Sequence, residues 1–133
     1  MSRRDDWVGQ MWSTIEDHTD APFVWGLNDC CLFAARVVDA MTDSDFELEL
    51  SSQYSDEETA LAYIASHGSL EAAVTSHLGD PSPGRALRGD VVMVDGGNGH
   101  ALGICVGGTV AALTDKGPLF MPRSAIITRW AIE

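Results

Sequence analysis

The chemistry in this sequence centres on Cys30, which follows Asp29 at the predicted start of a helix. A glycine-broken loop, residues 25–28, precedes it, and an apolar helical run, residues 32–38, follows it. Free N–H groups in a first helical turn and the positive end of the helix dipole favour thiolate over thiol and lower the thiol's pKa. The position therefore predicts a nucleophile at Cys30, which needs an imidazole from elsewhere in the fold.

His100 is the candidate for that imidazole, because it opens a predicted strand far along the chain from Cys30. The remaining histidines, His18, His67 and His77, lie at predicted helix ends. An imidazolium is favoured there by the helix dipole and needs no further role. A catalytic pair of Cys30 and His100 is thus the sharpest chemical hypothesis that the sequence offers.

Both residues also have an interpretation without catalysis. Free cysteines are among the most buried residues and are commonly inert packing. This stays our interpretation of Cys31 and Cys105. A single histidine between a turn and a strand is commonly a solvated loop residue. The catalytic and the structural interpretations of Cys30 and His100 therefore both stay open.

Composition favours one acidic domain and excludes some partners. The chain has 133 residues, of which 45% are hydrophobic, enough to fill a core. With 20 acidic and 8 basic residues, its formal net charge is −12. Such a charge disfavours nucleic acid and anionic lipid, and it favours basic protein faces or cationic or neutral substrates. No run approaches the ~18 apolar residues of a membrane helix, and we expect neither membrane insertion nor a secretory signal.

The cysteines and histidines predict no disulfide framework and no metal site. Three cysteines form an odd set, and two of them are adjacent, which favours a reducing compartment during synthesis. The sequence has no C-x-x-C and no H-E-x-x-H motif. We expect neither a metal nor a cofactor.

Helical patterns fill the first part of the chain. The first predicted helix carries a stripe formed by Trp7, Met11, Trp12 and Ile15. A third helix is predicted from a capping-box pattern at residues 55–58. Residues 42–54 alternate acidic and apolar side chains, which indicates a surface loop or a short edge strand. The predicted helices cover residues 5–18, from 28 or 29 to 41, from 55 to a stop at Gly68, and from 69 to a stop at Gly79.

The pattern changes to β after a turn-rich linker at residues 80–84. A hairpin-type turn is expected at residues 95–99. Helices followed by antiparallel strands define an α+β fold, with N-terminal helices packed on a C-terminal antiparallel sheet. We expect a single domain over residues 1–133, with a helical part at about 5–79 and a β part at about 88–132. The predicted strands are residues 91–94, 101–106, 110–113, 119–121 and 126–132.

Four segments in this order resemble the NlpC-type branch of the papain-like cysteine peptidases. They are residues 22–26 (P-F-V-W-G), 29–30 (D-C), 88–92 (R-G-D-V-V) and 102–104 (L-G-I). In that family a P-Y-x-W-G segment precedes a D-C-S-G helix start, and P-G-D-L and H-V-G-I-Y strands follow. The resemblance covers roughly residues 20–113 and implies a papain-like α+β fold.

The two ends of the chain resemble a narrower group. Residues 1–7, 117–122 and 129–132 are similar to small uncharacterised proteins encoded among the tail genes of phages and gene-transfer particles. This implies a tail-tip component of the virion, made in the host cytoplasm, with hub, distal-tail and fibre proteins as partners. Relatives with known chemistry cut peptidoglycan peptides, so the implied substrate is the stem peptide of the cell wall.

The resemblance also assigns expected roles near the nucleophile. Cys30 falls at the nucleophile position, with Asp29 before it, while Cys31 replaces the usual serine. Phe23 stands where the family often has a tyrosine near the oxyanion site, so a hydroxyl is lost. With Trp25 and Asp29, Phe23 is expected in the vicinity of the oxyanion and the substrate.

The histidine departs from the family pattern. If residues 102–104 align with V-G-I, the base position falls on Ala101, one residue after His100. A one-residue offset in a strand turns a side chain to the opposite face, unless a bulge at residues 97–99 restores the register. A third catalytic residue would lie on the next strand, where Asp115 and Thr114 are the nearest polar candidates.

These observations lead to three alternative hypotheses about the function. The first is a cysteine peptidase or amidase, in which Cys30 attacks a peptide carbonyl and His100 protonates the leaving amine. It requires the sulfur and a ring nitrogen at, or slightly beyond, hydrogen-bond distance. The second is a catalytically inactive tail-tip module that binds hub, distal-tail or fibre proteins through apolar or tryptophan-bearing contacts. The third is a bacterial hydrolase outside any virion.

Overall fold

The α+β prediction is confirmed by a computed structural model that describes residues 2–18, 20–96 and 99–132. Within these residues, the helices come first and the strands follow. The helices are α1 (Trp7–Asp17), α2 (Cys30–Thr42), α3 (Phe46–Ser51), α4 (Glu57–His67) and α5 (Leu70–Leu78). The strands are β1 (Val91–Asp95), β2 (His100–Cys105), β3 (Thr109–Thr114), β4 (Gly117–Pro122) and β5 (Ile126–Trp130).

The strands form one antiparallel sheet in the order β4-β3-β2-β1-β5. The β1–β2 ladder is regular from Val91 opposite Ile104 to Asp95 opposite His100. The predicted turn at residues 95–99 falls partly on residues 97 and 98, which lie outside the described residues. After a 3₁₀ turn at Arg123–Ala125, β5 returns to pair with β1.

Helix α2 lies at the centre of the main core. Along it, Leu32, Val37 and Val38 are almost completely buried, and Leu102 and Ile104 of β2 belong to the same apolar cluster. A large apolar side chain contributes roughly 1.5–3 kcal/mol when it is fully buried. The cluster therefore fixes α2, and Cys30 at its first position, firmly against the sheet.

The prediction of a loop or strand at residues 42–54 is wrong, because α3 forms within this segment. Its apolar residues Phe46 and Leu50 are four positions apart and both buried, which is helical spacing. The start of α3 is capped from another helix: the Asp39 carboxylate accepts the N–H groups of Phe46 at 2.8 Å and Glu47 at 3.0 Å. Local sequence does not encode such a long-range cap.

The predicted stops at Gly68 and Gly79 are confirmed, whereas the predicted capping box is displaced by one residue. Asp56 caps α4, and its carboxylate accepts the N–H of Thr59 at 2.8 Å. The Thr59 hydroxyl in turn accepts the N–H of Asp56 at 3.1 Å. An aspartate with a threonine thus fulfils the reciprocal pattern that was predicted for Ser55.

A buried ion pair attaches the chain before β1 to the sheet. Asp90 is 1% exposed and accepts from Arg129 at 2.7 Å and from the N–H of Leu87 at 2.8 Å. Arg3 approaches the same carboxylate at 3.6 Å. Arg129 also donates to the Pro83 carbonyl at 2.7 Å. This network joins the N-terminus, the linker and β5.

None of the described helices has the length and apolarity needed to cross a bilayer.

We expect Asp90→Asn to destabilise the fold by about 3–5 kcal/mol, because breaking one side of a buried pair leaves the other charge uncompensated. Urea unfolding followed by circular dichroism measures the change. Asp43→Asn is the matched control, since Asp43 pairs with Arg4 at 2.8 Å but is mostly exposed. Its midpoint should equal that of the parent protein. Equal effects of the two substitutions would contradict a structural role for Asp90.

Candidate functional site

A cleft of about 210 Å³ opens beside the N-terminus of α2. Most of the side chains that the sequence singled out lie around it, although they come from distant parts of the chain. Cys30, His100 and Asp115 border the cleft together with Phe23 and Trp25. Its remaining lining residues are Glu57, Gly96, Gly99, Ala101, Leu113 and Thr114.

Cys30 begins α2 and is 8% exposed, at the base of the cleft. Its sulfur lies 3.9 Å from that of Cys31. The hydrogen bond between the two thiols and another to the backbone of Leu102 lower the pKa of Cys30, against burial and the charge of Asp29. The same hydrogen bond and burial raise the pKa of Cys31 well above its usual value. Of these two adjacent thiols, Cys30 is the one set up to ionise.

His100 lies on the α2 side of the sheet. Side chains of a regular strand alternate between faces, so His100 shares a face with Leu102 and Ile104, which pack in the α2 core. The one-residue offset therefore does not turn His100 to the opposite face, and residues 97 and 98 of the expected bulge lie outside the described residues. The imidazole is exposed, however, and makes no hydrogen bond within the described residues. Cys30 and His100 share the cleft, and no hydrogen bond joins them within the described residues.

The candidates for a third catalytic residue do not hold the imidazole. Asp115 borders the cleft in the turn after β3 and is exposed. Thr114 is engaged in that turn: its hydroxyl donates to the Gly117 carbonyl at 3.0 Å and accepts the N–H of Lys116 at 3.2 Å. Among the described residues, neither side chain forms a hydrogen bond to His100.

Asp29 lies directly before Cys30 but is not among the residues that line the cleft. It is 0% exposed and caps α2. Its carboxylate accepts the N–H of Leu32 at 2.9 Å, the N–H of Gly26 at 3.0 Å and the hydroxyl of Tyr54 at 2.9 Å. Asp29 therefore acts on the site indirectly, by fixing the turn that presents Cys30.

The loop before α2 forms an aromatic wall of the cleft. Phe23 and Trp25 meet edge to face with ring centroids 5.1 Å apart. An antiparallel bridge between Val24 and Asn28 closes the loop, with the Val24 N–H donating to the Asn28 carbonyl at 2.9 Å. Because Phe23 has no hydroxyl, the backbone N–H groups at the start of α2 are the available donors for an oxyanion.

Two residues of the site were missed by the sequence analysis. Glu57, at the first position of α4, lines the cleft, and Tyr54 reaches Asp29 from the connection between α3 and α4. Both lie in the stretch from residue 42 to residue 58, whose fold was predicted least well. Only the tertiary fold brings this stretch to α2, so no local pattern marks these residues.

Comparison with known families identifies the class of the chain. Residues 2–132 match the model of a family described as a domain of unknown function, DUF6950. The chain therefore belongs to that family. Comparison with curated proteins gives no match. The argument for function thus depends on the site.

We expect iodoacetamide to modify Cys30 before Cys31 and Cys105 at mildly acidic pH. Of the three cysteines, Cys30 alone borders the cleft, and its pKa is lowered whereas that of Cys31 is raised. Peptide mass mapping after timed quenching of the folded protein measures the three rates. Equal, slow modification of all three cysteines would contradict an activated thiol.

We expect Gly26→Ala to destabilise the protein by about 2–5 kcal/mol, from a strained backbone together with overpacking. Gly26 has φ +81°, and a Cβ there would overlap the backbone carbonyl of Ser55. Gly79→Ala is the matched control, because Gly79 has φ +86° and open space around its Cα. It should cost only the backbone strain, about 1–2 kcal/mol. Equal losses in urea unfolding would show that the contact with Ser55 is unimportant.

Proposed function

We propose that this protein is a phage tail-tip component that acts as an NlpC-like cysteine peptidase or amidase on peptidoglycan stem peptides. One observation carries the proposal: Cys30, at a helix N-terminus with a lowered pKa, shares a cleft with His100. Helix starts are where reactive thiolates occur, and an imidazole in the same cleft is the partner that such a thiolate needs.

The geometry suggests how the reaction would proceed. The Cys30 thiolate attacks the peptide carbonyl, and backbone N–H groups at the start of α2 hold the oxyanion. His100 protonates the leaving amine, and the resulting thioester is then hydrolysed by water that gives its proton to the imidazole. In the resting protein the imidazole is exposed, and catalytic hydrogen bonds commonly tighten only when substrate is bound.

The location and partners in this proposal depend on the resemblance of the chain ends to tail-encoded proteins. Hub, distal-tail and fibre proteins are the proposed neighbours in the virion. The net charge of −12 agrees with protein partners and disfavours nucleic acid.

The alternative is a catalytically inactive tail-tip module that keeps the fold. Two observations favour it: His100 has no hydrogen bond within the described residues, and an apolar groove of about 350 Å³ lies between α1 and β4. Trp12 and Leu119 line this groove, and Phe120 beside them is 62% exposed. Exposed aromatic side chains are typical anchors of protein interfaces.

Purified protein incubated with peptidoglycan sacculi tests the proposal. We expect new amino groups and shortened stem peptides, measured by mass spectrometry of the soluble fragments. Cys30→Ser should abolish product formation, and His100→Ala should lower the rate by about 10²–10⁴-fold, the usual contribution of general acid–base catalysis.

Cys105→Ala is the matched control, because Cys105 is buried on the opposite face of the sheet and should be dispensable for the reaction. If the parent protein is inactive and virions carrying the Phe120→Ser variant lack this chain, the structural module replaces the hydrolase as the function of the protein. Equal activity of the parent protein and Cys30→Ser would exclude Cys30 as the nucleophile.

A further inference from the structure

We propose that Tyr54 is a positioning residue that acts on Cys30 through the buried Asp29 carboxylate. The inference depends on the proposed role of Cys30 as the nucleophile, and it assigns a part of the site that no motif in the sequence indicates. Tyr54 lies between α3 and α4, is buried, and does not border the cleft.

The first argument is the geometry around Asp29. Of the three donors that the described residues provide, two are the backbone N–H groups of Gly26 and Leu32, within three residues of Asp29. The Tyr54 hydroxyl is the third donor, 25 positions away along the chain, at 2.9 Å from each carboxylate oxygen. Tyr54 is thus the long-range contact that fixes the Asp29 side chain, and with it the first turn of α2.

The second argument is how closely the Tyr54 segment packs on the loop before Cys30. The backbone of Ser55 lies so close to Gly26 that no side chain fits between them. Glu57, two residues further on, lines the cleft itself. One short segment therefore forms a wall of the cleft and holds the carboxylate next to the nucleophile.

The third argument is electrostatic. The charge of Asp29 opposes ionisation of Cys30 and raises its pKa, whereas a hydrogen-bond donor to Asp29 weakens that effect by spreading the charge. Burial, more than the neighbouring charges, raises the pKa of Tyr54, so its hydroxyl stays protonated and remains a donor. Removing this hydroxyl should therefore make Cys30 harder to ionise.

The experiment measures the pH dependence of Cys30 alkylation by iodoacetamide in the folded, full-length protein. For Tyr54→Phe we expect the inflection of the alkylation rate against pH to move to higher pH. The rate below the inflection then falls about tenfold, the equivalent of one pKa unit, and the plateau at high pH is unchanged. Tyr63→Phe is the matched control, because Tyr63 borders the same small internal void as Tyr54 but bonds to His77 at 2.6 Å. Its profile should match that of the parent protein.

A second variant makes the test independent of how well Tyr54→Phe folds. Asp29→Asn removes the opposing charge, so its inflection should move to lower pH, and Tyr54→Phe added to it should cause no further shift. An unchanged profile in Tyr54→Phe or in Asp29→Asn, or an equal shift in Tyr63→Phe, would overturn the inference. Alkylation needs no substrate, so a shift without any cleavage of peptidoglycan would refute the proposed function and still show that Tyr54 acts on the Cys30 thiol through Asp29.

Discussion

The buried carboxylate of Asp29 is the interaction on which the candidate site depends. It receives donors from the loop that carries Phe23 and Trp25, from the first turn of α2, and from Tyr54 between α3 and α4. A buried carboxylate without these donors would be strongly unfavourable, so the three segments are constrained to meet there. Their meeting point places the Cys30 sulfur at the base of a cleft.

Among the described residues, the fully buried acids are Asp29 and Asp90, and they are satisfied in different ways. Asp90 is neutralised by Arg129, which suits a purely structural junction. Within the described part of the chain Asp29 receives only uncharged donors, and its charge acts on Cys30. Ionisation of Cys30 therefore needs local support, which the Cys31 thiol and the backbone of Leu102 provide. The second cysteine thus has a physical role beside the candidate nucleophile.

Much of the fold could be predicted because its signals are local. Apolar periodicity indicated α1 and α2, and glycines marked the ends of α4 and α5. Short apolar runs bounded by turn residues placed the strands. The segment around α3 could not be predicted, since Asp39 caps α3 from another helix. The same limit applies to the site: Tyr54 and Glu57 reach it only through tertiary packing.

The histidine shows how register and position contribute separately to a site. Alternation along β2 places His100 on the same face as Leu102, toward α2. This is the face that the proposed reaction with Cys30 requires. Its position at the first residue of the strand leaves the ring exposed at the rim of the cleft, beyond the packed core that fixes Cys30. A side chain at that rim loses water only when something fills the cleft. In the proposed reaction the imidazole therefore has to reach the sulfur from an exposed position, whereas the thiol is held in the buried start of α2.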